Sequence, residues 1–510
     1  MSHAGRGAVG TALDDDHLLR ELGYEPELSR KMNGFGNFAI SFSVISVLSG
    51  CMTLYGFGLA TGGPAVMLWG WVVVGAMVML VGAGLAEVTS AYPTSGALFD
   101  MANRLGGPRW GYYTGWLNLL GLLGAIAGID YGAAAFTGAF ASMQWGFVPT
   151  PGTTMLIFLG ILLLHGLLNM FGVRLVTILN SVSVWWHLTG VAVIVTALVM
   201  VPAHHQSVGF VFTHFSNQTG WSSHWYVVLL GLLLAQYTFS GYDASAHLSE
   251  ETVKAAVSAP RGIMRAIGWS WVAGFVLLFG LGYAIQDYTG TQQTGLGVPP
   301  AQIFLDALGS GGAKALLLVV IVAQLFCGNA EVAACSRMVF AFSRDGALPG
   351  SRMWRRVSGR TATPTRAVWL SVSVAAVLAL PALYSTVAYG AVTAINVIGI
   401  TPAYAIPIYL RLRRGRGFVR GPWHLGRWSA PVGWTAVAWV ALVTVLFCLP
   451  QTRPEGGGLV SVTTFNYAPV ALAVALVLAT VWWKAGGKRG YAAPALAGDA
   501  ELARYAEEVV

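Results

Sequence analysis

This sequence contains few charged residues. Of its 510 residues only 10% are Asp, Glu, Lys or Arg, whereas 55% are hydrophobic and the mean hydropathy is +0.64. A soluble globular domain carries roughly 25% charged residues. The composition therefore excludes a soluble protein and indicates a polytopic membrane protein.

Cysteine is scarce too, and the usual catalytic patterns are missing. The four cysteines, Cys51, Cys327, Cys335 and Cys448, lie in apolar runs, so no disulfide framework is implied. The sequence has no usable GxSxG, P-loop, CxxC or HExxH pattern. His204-His205 has no second pair of ligands, which argues against a zinc site. The sequence predicts no enzyme, no metal and no cofactor.

Long apolar runs, in contrast, are abundant. A membrane-spanning helix needs about 20 apolar residues, and twelve segments qualify: 38–60, 66–90, 110–141, 153–171, 178–201, 225–248, 262–285, 315–344, 365–385, 388–410, 430–450 and 466–484. We predict one all-α transporter domain at 38–484 between two cytoplasmic tails, 1–37 and 485–510. The first tail is expected to be a disordered end.

The basic residues lie almost entirely on one side of the predicted spans. If both termini are inside, every Lys and Arg except Lys314 and Arg453 faces the cytoplasm. This asymmetry follows the positive-inside rule and orients the chain. It accounts for the net charge of +8 without nucleic acid. The expected partners are the lipid bilayer and a small molecule, and the sequence leaves the oligomeric state open.

Two predicted spans are interrupted by Ser-Gly pairs, Ser49-Gly50 in the first and Ser240-Gly241 in the sixth. Irregular backbone at mid-membrane depth is tolerated only where it lines a cavity or is buried in protein. Matching interruptions at the start of two five-helix blocks indicate an inverted repeat with its site at the midplane. This pattern predicts a carrier. A channel and a non-transporting sensor on the same scaffold are the alternatives.

Five motifs, in this order along the chain, carry a resemblance to a known family. They are FGNFAISFSVISVLSGCMTLYGFGLATGGPAVMLWGW (35–71), AEVTSAYPTSGALF (86–99), SGYDASAHLSEET (240–252), APRGI (259–263) and SRMVFAFSRDGALP (336–349). Together they resemble the amino acid–polyamine–organocation superfamily, and within it the amino acid/choline branch that includes fungal GABA and choline permeases. The resemblance implies the LeuT-like five-plus-five inverted-repeat fold, with helices 1 and 6 unwound around the substrate. It also implies transport of amino acids, GABA or choline-like compounds by proton symport or exchange.

The resemblance places a substrate carboxylate at Ser49 and Gly50, with Cys51 beside them at the break. The positive end of the second half-helix suits such an anion. Alternatively, these small residues only allow close helix packing.

In helix 6 the substrate is expected at Ser240 and Gly241. Either Tyr237 or Phe239 is a candidate aromatic gate over the bound molecule. Packing between helices is the alternative for both rings.

Ionisable groups inside a membrane are functional candidates by default. Asp243 is predicted to act in proton coupling or gating, with a hydrogen-bonded helix cap as the alternative. Glu331 is predicted to bind a substrate amine, or else to pair with a neighbouring helix, although Arg337 is badly spaced for that. Glu87 is predicted to have a gating or structural role. Asp130 is a weaker candidate, expected near the outer vestibule.

The coupling ion is indicated mainly by what two helices lack. Helix 5 has no lysine, and its His187, between Trp186 and Leu188, is expected to be a packing residue at the interface. The centre of helix 8, CGNAEVAAC, has no Ser/Thr pair to hold sodium. These absences favour protons or exchange. We predict a plasma-membrane importer of a small amino acid or amine, with GABA as the leading substrate and choline or α-amino acids as alternatives.

Overall fold

The computed structural model describes residues 15–384, 388–454, 458, 461 and 464–491. Within these ranges eleven helices are long and apolar enough to cross a membrane. In the described ranges the only β pairing consists of two isolated bridges. The expected all-α, multi-pass membrane architecture is therefore confirmed.

We number the spans as predicted. Ten of them are continuous helices: span 2 Gly63–Ala91, span 3 Pro108–Trp145, span 4 Pro151–Leu168, span 5 Val173–Met200, span 7 Ala255–Tyr283, span 8 Pro299–Arg344 with a kink at Gly309, span 9 Thr365–Ala379, span 10 Ala388–Arg414, span 11 Ser429–Leu446 and span 12 Ala468–Trp482. Short helices lie between them at Ala97–Gly106, Val208–Thr213, Tyr288–Gln292 and Ser351–Trp354.

Spans 1 and 6 are divided. Span 1 consists of Gly34–Ile45, Val47–Thr53 and Tyr55–Ala60, and span 6 consists of His224–Gly231, Leu233–Thr238 and Ala244–His247. The pieces of span 6 are each shorter than a membrane-crossing helix. The count of twelve spans and the five-plus-five repeat therefore stay predictions.

Burial separates the centre of the bundle from its periphery. The apolar windows of spans 1, 3 and 10 are 89%, 83% and 89% buried, whereas that of span 12 is 17% buried. Spans 3 and 10 approach closely because span 3 carries Gly121. A Cβ there would lie 2.5 Å from the Ile400 nitrogen. Small residues permit such contact in membranes, and the site is built at this centre.

Residues 15–33, predicted to be part of a disordered tail, pack against the end of the bundle that we predict to face the cytoplasm. Leu18, Leu19 and Leu22 are buried there. The carboxylate of Asp15 accepts hydrogen bonds of 2.6 and 3.2 Å from two backbone N–H groups at the start of span 7. We call residues 15–33 the N-terminal segment; it is a packed part of the fold.

Candidate functional site

The break in span 1 lies at Ser46, three residues before the predicted Ser49-Gly50 pair. Ser46 has φ 24° and ψ 89°, a conformation that few non-glycine residues adopt. Its Oγ accepts a hydrogen bond of 3.1 Å from the Ser49 N–H and so caps the second half-helix. The same Oγ lies 2.6 Å from Nε2 of His187. His187 is therefore buried against the break, which confirms that it is a packing residue; its position relative to the membrane interface stays a prediction.

Gly50 and Cys51 lie inside the second half-helix of span 1. A Cβ on Gly50 would lie 2.4 Å from Oγ1 of Thr238 in span 6. Cys51 is buried as well, and its side chain interacts with the same threonine. The contact of Gly50 supports the close-packing alternative for this residue.

The break in span 6 lies where Ser240-Gly241 predicts it. Residues 239–243 are non-helical between Leu233–Thr238 and Ala244–His247. Gly241 has φ +83°, and a Cβ there would lie 2.1 Å from Val44 of span 1. Glycine is therefore required at this position for both its backbone conformation and its space.

Asp243 is fully buried and hydrogen-bonded. One carboxylate oxygen accepts from the Tyr404 hydroxyl at 2.8 Å, and the other lies 3.2 Å from Nδ2 of Asn118 and 3.1 Å from Nε2 of His247. Its side chain does not cap the helix that follows, so the capping alternative is wrong. Asp243 instead joins spans 3, 6 and 10.

A small cavity lies where the two breaks meet, and we call it the central cavity. Its walls include Ser49, Gly50, Tyr237, Ser240 and Cys327. The Ser49 and Tyr237 hydroxyls are both buried. The Tyr237 hydroxyl has no hydrogen-bond partner among the described residues, and the Ser49 hydroxyl meets only the thiol of Cys327, a weak hydrogen-bonding group. Buried polar groups are rarely left unpaired, so these two hydroxyls are available to a polar guest. The cavity of about 10 Å³ is the size of one water molecule and must widen to hold anything larger.

Phe239, the other candidate for the aromatic gate, is absent from this cavity. Its ring centroid lies 4.3 Å from that of Trp71 in span 2, and the side chain is completely buried. Of the two candidate aromatics, the structure places only Tyr237 at the central cavity.

Glu331 lies one helical turn beyond Cys327 on span 8 and is completely buried. Within the described part of the chain, neither of its carboxyl oxygens has a hydrogen-bond partner. Arg337 is not available, because it binds Glu251 at 2.7 Å, in agreement with its unfavourable spacing from Glu331. A buried charge without a partner is costly, so this carboxyl requires a proton or a cationic ligand.

A second buried acid–base pair, not predicted from the sequence, joins spans 3 and 4. His165 of span 4 places Nδ1 3.0 Å from Oδ2 of Asp130 in span 3, and both side chains are 0% exposed. Asp130 therefore lies in the core of the bundle. The lone histidine in the apolar run ILLLHGLL was a usable signal, because ionisable residues in spans rarely face lipid.

A larger cavity of about 550 Å³ lies on the side of the breaks away from the N-terminal segment. We call it the vestibule; its walls include Thr53, Tyr131 and Tyr389. The Tyr389 hydroxyl donates to the Gly128 carbonyl at 3.2 Å. A Cβ on Gly128 would lie 2.9 Å from the Tyr237 hydroxyl. Two tyrosines therefore meet around Gly128, between the vestibule and the central cavity.

Glu87 lies at the predicted cytoplasmic end, far along span 2 from this vestibule. Its carboxylate pairs with Arg411 at 3.1 Å and also accepts hydrogen bonds from the Ser429 hydroxyl and the Leu425 N–H. Glu87 thus joins span 2 to the ends of spans 10 and 11. These contacts support a structural or gating role.

Two further buried ion pairs close the same end. Arg337 binds Glu251 through Nε at 2.7 Å and Nη2 at 3.4 Å, and Arg344 binds Glu250 at 2.9 Å. Both glutamates follow the second half of span 6, and both arginines belong to span 8. The two spans are therefore fastened together here by bidentate, charge-assisted hydrogen bonds.

Tyr24 of the N-terminal segment lies between two carboxyl groups. Its hydroxyl is 3.0 Å from an oxygen of Asp100 and 3.0 Å from an oxygen of Asp345. A phenol has one proton and can donate to only one of them. Burial, opposed in part by the neighbouring Arg344, raises the pKa of Asp345 to about 7. The other contact is a hydrogen bond only if one of the two carboxyl groups carries a proton, and Asp345 is the better placed of the two to carry it.

Hydrogen bonds from polar side chains also join the first half of span 1 to the second half of span 6. Asn37 donates to the Ser245 carbonyl at 2.9 Å, and Ser245 donates from its hydroxyl to the Asn37 carbonyl at 2.8 Å. Ser41 donates to the Tyr242 carbonyl at 2.7 Å and accepts from the Ser245 N–H at 2.9 Å. All these groups are buried, so the two half-helices form one hydrogen-bonded unit.

Comparison with known proteins covers nearly all of this architecture. A family model described as Amino acid permease matches residues 33–480. The amino-acid permease BAT1 of Arabidopsis thaliana is 40% identical in an alignment of 498 positions that covers 93% of this chain and 95% of that protein. The GABA-specific permease of Saccharomyces cerevisiae is 30% identical in an alignment of 506 positions that covers 95% of this chain and 86% of that protein. Amino-acid permease 2 of Neurospora crassa is 30% identical in an alignment of 486 positions that covers 94% of this chain and 89% of that protein.

Proposed function

The chain belongs to the amino acid permease family, and we propose that it imports a small amino acid across the plasma membrane with both termini in the cytoplasm. The proposed substrate is GABA or another ω-amino acid. Transport is driven by a proton gradient or by exchange, through alternating exposure of one site at the two helix breaks.

The observation that carries this proposal is the pair of buried hydroxyls in the central cavity. Ser49 and Tyr237 both contribute a buried hydroxyl, and among the residues described the only partner of either is the Cys327 thiol beside Ser49. Two such donors suit a carboxylate. Ser240 and Gly50 line the same cavity. Gly241 follows Ser240 in the broken part of span 6, and Cys51 packs against Thr238, which also lines the cavity.

The amine of the substrate is assigned to Glu331. This carboxyl is buried and unpaired, and a Cβ on Gly241 would lie 3.5 Å from its Oε2. An ω-amino acid separates its carboxylate from its ammonium group, which suits a site whose hydroxyls and carboxyl lie on different helices. The relative that is named a GABA-specific permease supports the same substrate class.

Gating is assigned to groups on either side of the cavity. Tyr237 and Tyr389 separate it from the vestibule. Glu87 and Asp243 lie on the other side, where both are hydrogen-bonded across three spans. The complete hydrogen bonding of Asp243 favours a gating role over that of a proton acceptor.

Uptake of labelled GABA into proteoliposomes tests this function, with an inward proton gradient and with sodium present or absent. Saturable uptake that ω-amino acids compete with supports the site as assigned. We expect Glu331→Gln to weaken the affinity for GABA by roughly tenfold or more, because a charge-assisted hydrogen bond is lost. Unchanged affinity contradicts the amine role. Uptake of choline or an α-amino acid without GABA overturns the proposed substrate but keeps the carrier.

A further inference from the structure

Three carboxyl groups gather near the centre of the bundle with few basic groups to balance them. Asp130 and Asp243 each interact electrostatically with Glu331. Asp130 meets His165 and Asp243 meets His247. Among the described residues, no Lys or Arg forms an ion pair with any of the three. Charge in this region therefore has to be balanced by protons or by a cationic substrate.

We propose that the Asp130–His165 pair is the proton-binding site that couples transport to a proton gradient. This inference rests on the proposed function, because it assigns the coupling step of the same carrier. It places coupling on spans 3 and 4, whereas the sequence predicts it at Asp243.

The hydrogen bonding of the pair leaves two atoms open, and the imidazole nitrogen is the more basic of them. Nδ1 of His165 lies 3.0 Å from Oδ2 of Asp130, so the neutral imidazole donates Nδ1–H to the carboxylate. Its Nε2 and the second Asp130 oxygen are buried and have no partner within the described ranges. A proton from the outer side binds at Nε2, the pair changes from a net charge of −1 to zero, and release on the inner side restores the lone pair.

Asp243 offers no such position. Its two oxygens already accept hydrogen bonds from Tyr404, Asn118 and His247. His247 has its other ring nitrogen 3.1 Å from the Ser95 carbonyl, so both of its ring nitrogens face acceptors, and both hydrogen bonds form only when the imidazole carries two protons. In that form every polar atom of the Asp243–His247 pair has a partner, and losing a proton would break a hydrogen bond. The pair with two open atoms is the one that can change its protonation state without breaking a hydrogen bond.

Gly328 of span 8 brings the Asp130–His165 pair to the edge of the central cavity. A Cβ on Gly328 would lie 1.9 Å from Oδ1 of Asp130 and 2.7 Å from Cε1 of His165. The neighbours of these residues in sequence, Ile129 and Cys327, line the central cavity. The titratable groups facing Asp130 from the packed spans are Cys327 and Glu331 of span 8 and Tyr237 of span 6.

This position couples the proton to the substrate. An unprotonated pair with a charge of −1 repels the carboxylate of a substrate bound beside Ser49 and Tyr237. Protonation removes that repulsion. Each ligand therefore raises the affinity for the other by the same factor, as thermodynamic linkage requires. The result is symport of one proton with one amino acid.

The test compares two kinds of flux in proteoliposomes, for wild type, His165→Gln and Asp130→Asn. Counterflow exchange of a labelled amino acid needs the substrate site alone, whereas accumulation under an inward proton gradient also needs coupling. We expect both variants to lose proton-driven accumulation by about tenfold, within the usual range of coupling factors. Asp130→Asn removes the negative charge and should still exchange the amino acid, whereas His165→Gln keeps the Asp130 carboxylate and should exchange only at higher amino acid concentrations. The controls are Asp306→Asn and His224→Gln, which change exposed residues of the same types and should accumulate substrate like wild type.

A second measurement reads protons directly and does not require transport. A pH dye in weakly buffered detergent solution reports protons taken up when the amino acid binds. Wild type should take up a proton with the substrate, and His165→Gln should bind substrate without taking up a proton. A variant that has lost its exchange activity is judged by this binding signal.

Proton uptake or proton-driven accumulation equal to wild type in His165→Gln and Asp130→Asn overturns the inference. So does a wild type that exchanges amino acids but ignores the proton gradient, and that outcome leaves the proposed function standing. A wild type that transports and binds no amino acid overturns the proposed function itself.

Discussion

The buried carboxylates of this protein fall into two groups with opposite surroundings. At the predicted cytoplasmic end, three glutamates are bound to arginines: Glu87 to Arg411, Glu250 to Arg344 and Glu251 to Arg337. Around the central cavity, Glu331 has no hydrogen-bond partner, and Asp130 and Asp243 meet no base stronger than histidine in the described ranges. Arginine keeps its charge at every accessible pH, whereas carboxyl and imidazole groups can change theirs. Arginine pairs hold one end together, whereas the carboxyl groups at the site have no arginine beside them in the part of the chain that the structure describes. Asp345, with its raised pKa, is the exception at the arginine-rich end.

The largest effect should come from breaking a permanent pair. Arg337→Met leaves the carboxylate of Glu251 buried and unpaired, which should lower the free energy of unfolding by about 3–5 kcal/mol. Thermal and denaturant unfolding of the purified protein in detergent measures this. The double variant Arg337→Met with Glu251→Leu removes both charges and should recover most of the loss. A loss below about 1 kcal/mol in the single variant would show that the pair is not desolvated.

A smaller effect is expected where the N-terminal segment meets that end. Tyr24→Phe removes the hydroxyl between Asp100 and Asp345 and should cost about 1–2 kcal/mol of unfolding free energy. Tyr384→Phe is the matched control, because Tyr384 is 91% exposed and should change nothing. Protease cleavage within residues 15–33 should accelerate in the first variant alone. Equal cleavage rates in both would argue against the contact.

The pH dependence at Asp345 should be smaller still. Its pKa in the fold, about 7, lies above the ordinary value of 3.8. The folded state therefore holds more protons than the unfolded one between these values, and this group's contribution to stability falls as pH rises towards 7. Between pH 6 and 7 we expect a loss of about 1 kcal/mol. The difference between wild type and Asp345→Asn in unfolding measured from pH 5.5 to 8 isolates this group, and parallel curves would contradict the assignment.

The smallest effect on stability should be at Glu331. Glu331→Gln removes no hydrogen bond that the structure shows, so the unfolding free energy should stay within about 0.5 kcal/mol of wild type, or rise. The affinity for an amine substrate should fall, as proposed above. Measuring stability and substrate affinity on the same preparation makes the contrast with Arg337→Met explicit. A loss of several kcal/mol in Glu331→Gln would place Glu331 with the structural carboxylates.

The two breaks show what local sequence can predict. Ser240-Gly241 marks its break correctly because Gly241 adopts a positive φ that its own residue type permits. Ser49-Gly50 misplaces the other break by three residues. The side chain of Ser46 caps the second half-helix at Ser49 and contacts His187. His187 is 141 residues away in the sequence, so local sequence cannot predict this contact.

The ion pairs show what local sequence cannot predict. The i+6 spacing correctly separates Arg337 from Glu331, but no spacing rule identifies Glu251, 86 residues away, as the partner of Arg337. The Asp130–His165 pair joins two spans in the same way. Long apolar runs predicted ten of the spans as continuous helices, because span length is set by the membrane itself. The partners of buried polar groups depend on how the spans pack.

The hydrogen bonds of Asn37, Ser41 and Ser245 determine how the two half-helices that they join can move. Each buried donor or acceptor left unsatisfied costs about 1–3 kcal/mol, so pulling the two half-helices apart would be expensive. Moving them together leaves every one of these bonds intact. The first half of span 1 and the second half of span 6, about 200 residues apart in the chain, should therefore move as one rigid body when the predicted cytoplasmic end opens. One hinge at Ser46 and one at Gly241 would then share the same axis.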